Sequence, residues 1–147
     1  MNILTIVLSL FIFLETLNVI LLYYFPTSKR GNGVGVFNAY EKSKQIPEVH
    51  RLVRYLINWV AGTKVIFIFL LVIILITGDS TTIFYSTITL IFSISTFFWN
   101  LFPILKQMDA DNQLSPNGYS KKLAYMILGF VLIFTLALLI YYNIYNT

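Results

Sequence analysis

The stretch ILTIVLSLFIFLETLNVILLYYF, residues 3–25, decides the fold. Glu15 is its only charged residue, and at roughly 1.5 Å per helical residue the run crosses the roughly 30 Å hydrocarbon layer of a bilayer. A cleaved signal peptide needs a basic leader and a small-residue cleavage site. Neither precedes the Tyr23-Tyr24-Phe25-Pro26 exit, so the segment is expected to be retained as an anchor.

The rest of the 147-residue chain repeats the pattern. Hydrophobic residues make up 58%, charged residues only 11%, and the mean hydropathy is +0.79, whereas a water-covered surface needs roughly a quarter of residues charged. Three further apolar runs are expected at residues 47–77, 81–105 and 120–145. The prediction is an all-α, integral membrane bundle of four transmembrane helices forming a single domain, left-handed in packing. Pro47 suits the first helical position and Glu48 the positive end of the helix dipole, and Gly78-Asp79-Ser80 makes a tight turn. A bend is expected near Pro103, and Ser120 is expected to cap the fourth helix. Long loops occupy residues 26–46 and 106–119, the first with a Gly31-Asn32-Gly33 turn and a short interfacial helix over 36–44. Each half also has Phe-Pro at a helix exit, then an Asn-Gly turn. The expectation is punctuation common to any hairpin of this kind, with an internal repeat of two parallel hairpins as the other reading.

Charge placement gives the orientation. Lys29, Arg30, Lys42, Lys44, Arg51, Arg54, Lys106, Lys121 and Lys122 all fall beside the two long loops, and Lys64 alone lies within a span. Cytoplasmic loops and exterior termini in a cell membrane follow from the positive-inside rule. Aromatic residues at both boundaries agree: Tyr23, Tyr24, Tyr55, Trp59, Trp99 and Tyr119 on the loop side, Tyr85, Tyr141, Tyr142 and Tyr145 on the other. The net charge of +4 therefore points to anionic headgroups rather than to nucleic acid. With no cysteine and one histidine, His50, a metal site is not expected. The run Asp109-Ala110-Asp111-Asn112-Gln113 lacks the turn glycine and terminal glutamate of a calcium loop and reads as solvated. The Gly31–Gly35 glycines follow no strand, which excludes a dinucleotide loop.

The intramembrane polar residues are Glu15, Asn18, Asn58, Lys64, Ser93 and Asn100. Glu15 and Lys64 lie at similar depth, roughly 15 Å from the loop side, so a pair between adjacent helices is expected, with Arg54 as rival partner and Asn58 as an alternative for a neutral glutamate. Either the pair marks a proton or ion site of a carrier or channel, or it fixes which helix faces meet. Along the third span, Thr82, Ser86, Thr89, Ser93, Thr96 and Asn100 recur at spacings of four and three. This is a small polar stripe expected to be a packing seam, with a hydrated groove as the other reading. Arg51, Arg54, Asn58, Ala61 and Gly62 share a helix face expected to point into the bundle, where it could hold an anion such as a peptide carboxylate or lipid phosphate.

The segment Pro47-Glu48-Val49-His50-Arg51-Leu52-Val53-Arg54-Tyr55-Leu56-Ile57-Asn58 resembles the second-helix signature of the MAPEG membrane proteins, small four-helix glutathione-dependent enzymes. The resemblance implies a trimer with Arg51, Arg54 and Asn58 in a glutathione site, glutathione then being the only cofactor. The family's glutamate after the asparagine is Ala61 here, and its mid-motif histidine is Leu56. From the residues themselves the leading expectation is a structural or accessory membrane protein that binds lipid or a partner, as a homo-oligomer or beside another membrane protein. The glutathione enzyme and the Glu15–Lys64 carrier are the alternatives.

Overall fold

The computed structural model describes residues 2–30 and 32–145, the last by its backbone alone. Gly31 of the expected turn and the Tyr145 side chain of the expected aromatic belt lie outside the described residues. Among the described residues the regular elements are all helical: α1 (Ile3–Tyr24), a 3-10 turn (Val34–Val36), α2 (Asn38–Ser43), α3 (Pro47–Thr77), α4 (Ser80–Ser95), α5 (Phe97–Asn100), α6 (Phe102–Ala110) and α7 (Tyr119–Tyr145). Among the described residues, four helical segments are long and apolar enough to cross a membrane: α1, α3, the run Ser80–Ala110 that comprises α4 to α6, and α7.

Local chemistry sets the ends. The Asn2 side chain accepts the Thr5 N–H at 2.9 Å and caps α1; Asp79 accepts the Thr82 N–H at 2.8 Å and caps α4. The third span is interrupted at Thr96 and Leu101, earlier than the bend expected near Pro103. Proline acts on the preceding turn: it cannot donate to the carbonyl four residues back, at Trp99, and its ring crowds that carbonyl. Thr96 adds to this by splitting its N–H between the Phe92 and Ser93 carbonyls and donating its hydroxyl to Ser93 O at 2.7 Å.

Each long helix contributes one inward stripe spaced alternately by four and three residues. On α1 it is Leu4, Leu8, Phe11, Glu15, Asn18 and Leu22; on α3 Ile57, Ala61, Lys64, Ile68 and Leu71; on α4 Ile83, Thr87, Leu90 and Ile94; on α7 Leu123, Ile127, Phe130, Phe134 and Ala137. A seven-residue repeat is the one that wraps helices left-handed around each other. Phe11 anchors the centre, edge-on to Phe67, Phe130 and Phe134 at 5.6–6.3 Å between ring centres. α1 sits in the middle, packed along α3 on one side and α7 on the other, and α4 packs on α7. α3 and α4 touch little beyond the turn that joins them, which leaves the bundle open along one side.

The two long loops interlock into one cap. Phe37 and Leu114 form an antiparallel backbone bridge, Asn38 N–H donates to Gln113 O (2.9 Å), Ser115 N–H to Val36 O (2.8 Å), and Lys29 Nζ to Ser115 Oγ (3.0 Å). Gly35 makes this possible, because a Cβ there would lie 2.0 Å from the Thr27 carbonyl oxygen. Beneath the cap, Val36, Phe97, Leu105, Leu114, Tyr119 and Leu123 form a second apolar cluster. The expected 36–44 helix is thus a 3-10 turn followed by the shorter α2, since Phe37 is drawn into the bridge.

Candidate functional site

Halfway along α1 and α3 the inward stripes carry charge instead of hydrocarbon. Lys64 Nζ donates to Glu15 Oε2 at 2.5 Å and to Asn18 Oδ1 at 2.8 Å. Glu15 and Asn18 are one turn apart on α1, so both reach the same ammonium. Neither Arg54 nor Asn58 takes part; the lysine stem closes the gap without the two-turn offset that Arg54 requires. Asn18 is the partner that depth alone did not identify. Its signal was the spacing 4, 8, 11, 15, 18, 22, which puts Glu15 and Asn18 on the same stripe as the leucines.

The cluster is not sealed. The Lys64 and Glu15 side chains keep 25% and 23% of their surface, so each can be reached from outside the helix pair. Glu15 and Asn18 border a crevice of about 420 Å³ between α1, α4 and α7, walled by Phe11, Leu17, Leu21, Ile94, Met126 and Phe130 and reaching Asn32 of the cap. Lys64 borders a second crevice, of about 480 Å³, with Trp59, Thr63 and Phe67 on the other side of α3. Among the described residues, Glu15 Oε1 and Asn18 Nδ2 have no hydrogen-bond partner.

The stripe on the third span is not a seam within the chain. The core stripe of α4 is Ile83, Thr87, Leu90 and Ile94, so Thr82, Ser86, Thr89 and Ser93 lie one residue earlier, turned about 100° around the helix. Of these Ser86 is half-buried and the others exposed, and they line a groove of about 510 Å³ whose opposite wall is Phe67, Leu70 and Ile74 of α3. Thr96 and Asn100 continue the exposed stripe beyond the break in the helix.

The arginine face also turns out differently from the expectation. α3 buries Ile57 and Ala61, with Val53 beside them, against Leu22 and Tyr40, and this apolar stripe takes the inward position. Arg51, Arg54 and Asn58 consequently point outward; all three are exposed and border none of these crevices.

Asp109, read from the sequence as part of a solvated loop, accepts the Gly118 N–H (2.8 Å), the Ser120 N–H (3.1 Å) and the Ser120 hydroxyl (2.6 Å). Ser120 therefore does not cap α7. The helix begins at Tyr119, and the carboxylate that satisfies its first turn comes from α6. No protein-family model, no curated protein and no solved structure matches the chain.

Proposed function

We propose that this protein is an accessory subunit of a membrane assembly, with its long loops in the cytoplasm and its termini outside, and that the groove between α3 and α4 seats a transmembrane helix. One observation carries the reading: a 31-residue helix, α3, packs along only one of its bundle neighbours and leaves a groove with hydroxyls on one wall and large apolar side chains on the other. In lipid, helices associate through small residues that let backbones approach and through hydroxyls that bond across the interface. Thr82, Ser86, Thr89 and Ser93 supply both along about three turns. The occupant is a partner's helix or that of a second copy, and the nine loop-side basic residues hold the cap against anionic headgroups.

Because the chain has no cysteine, Ser86→Cys and Ser93→Cys each place a single thiol in the groove. A bifunctional maleimide applied to native membranes is expected to join these variants to one defined polypeptide, and Tyr125→Cys, on the exposed face of α7, is not. Ser93→Leu is expected to reduce the size of the complex; an unchanged complex for both Ser86→Leu and Ser93→Leu overturns the reading.

Glutathione binding by Arg51, Arg54 and Asn58 is the second reading. It is favoured by three exposed polar side chains at the loop end of α3 that no other element covers. It requires a neighbouring chain to form the opposite wall, and no thermal shift at millimolar glutathione removes it.

A further inference from the structure

We infer that the crevice beside Glu15 and Asn18 is a binding site for a neutral long-chain alcohol, whose hydroxyl donates to Glu15 Oε1 and accepts from Asn18 Nδ2. Charge selects the first property. Glu15 and Lys64 balance each other, so a charged ligand group at that depth adds a charge with no counter-charge in a medium where an unpaired ion costs many times more than in water. Phosphate, carboxylate and ammonium lipids are disfavoured on that ground. Hydrogen bonding selects the second. Lys64 engages Glu15 Oε2 and Asn18 Oδ1, which leaves Glu15 Oε1 as an acceptor and Asn18 Nδ2 as a donor on residues a helical turn apart that border the crevice. A single hydroxyl satisfies both, whereas an ether or ester oxygen satisfies only the donor.

The crevice walls supply the rest. A volume of about 420 Å³ falls in the usual range for small-molecule sites, and its lining away from Glu15 and Asn18 is hydrocarbon and aromatic until Asn32 at the cap. Leu14 and Leu17 at its lip are exposed, so the ligand enters sideways from the bilayer and needs no route through water. The alcohol's chain then runs between α1 and α7 toward the cap. This site is separate from the α3/α4 groove and shares no lining residue with it.

The test uses the full-length protein in phospholipid nanodiscs and a photoactivatable diazirine analogue of palmityl alcohol. Labelling is expected to concentrate on residues 14–21 of α1 and 126–130 of α7. Unlabelled palmityl alcohol is expected to compete about tenfold better than its methyl ether, which cannot donate to Glu15. Asn18→Leu is expected to weaken labelling by about three- to tenfold. Met126→Trp fills the crevice from an exposed position without touching the charged pair, and is expected to abolish labelling while leaving the melting temperature unchanged. If Asn18→Leu does not fold, Met126→Trp and the ether comparison decide alone. Labelling spread over all lipid-facing surfaces, equal competition by alcohol and ether, or full labelling of a folded Met126→Trp overturns the proposal and leaves an ordinary lipid coat.

Discussion

Replacing Asp109 by alanine removes three hydrogen bonds at one stroke, to the Gly118 and Ser120 amides and to the Ser120 hydroxyl. A hydrogen bond to an ionised group contributes roughly 1.5–3 kcal/mol, but the three share one carboxylate that is only half-buried, so they do not add in full. A net loss of about 2–3 kcal/mol follows, which at about 2–4 °C per kcal/mol for a chain of this size lowers the melting temperature by about 4–12 °C. Asp109→Asn keeps one acceptor oxygen but turns an NH2 group toward the Ser120 donors, so it is expected to lose about 1–2 kcal/mol. Ser120→Ala loses only the hydroxyl bond, about 1 kcal/mol. Asp111→Ala is the control: Asp111 is exposed, its side chain has no partner among the described residues, and a change within about 0.5 kcal/mol is expected. The assay is thermal unfolding in detergent followed by circular dichroism, with hydrogen exchange at Gly118 and Ser120 as a local readout. Equal melting temperatures for Asp109→Ala and Asp111→Ala would refute the view that α7 is capped from α6.

Three further outcomes are expected. Gly35→Ala puts a Cβ 2.0 Å from one backbone oxygen and 2.8 Å from another, so the cap must open; exchange at Asn38 and Ser115 should quicken at least tenfold, while Gly129→Ala, with nothing within 4 Å, is neutral or slightly stabilising. Glu15→Leu and Lys64→Met each leave an unpaired charge between helices, and a double-mutant cycle read by steric-trap unfolding should give a coupling of about 1–2 kcal/mol, moderated by the pair's partial exposure; zero coupling removes the pair's structural role. The Asp79 carboxyl is held below its ordinary value by hydrogen bonding from the Thr82 side chain and then its backbone N–H. A depressed carboxylate contributes stability above its unfolded value and loses it as the pH falls through the folded one. The advantage of wild type over Asp79→Asn should therefore be complete above the ordinary carboxylate range and be lost progressively as the pH falls below it, measured as melting temperature against pH.

How far the chain could be read depends on the solvent on each side of a helix. In water, apolar periodicity separates inside from outside; in hydrocarbon both sides of a span are apolar, so the leucines of α3 make it long and apolar enough to cross a membrane and say nothing about which face is inward. The spans and turns were legible for that reason, because they depend on length, Pro, Gly and charge rather than on phase. The phase was carried by the few polar residues, and they divide by depth. Glu15 and Lys64 fall at matching positions along adjacent helices, which made them the expected pair with Arg54 as the rival partner, and the lysine stem does reach the carboxylate. Arg51 and Arg54 sit near the loop end, where outward exposure costs an arginine little, so sharing a face with Asn58 did not make that face inward. The hydroxyl stripe of α4 lies between these cases. A serine or threonine can satisfy itself on its own helix, as Thr89 does on the Tyr85 carbonyl, so regular spacing revealed a surface without revealing what covers it. The cap was illegible for another reason: the Phe37–Leu114 bridge and the Asp109–Ser120 bonds join residues whose pairing no helical period encodes. Of these contacts only the Gly33 and Gly35 spacing left a trace, as backbone that must pass close to Thr27 and Ser28.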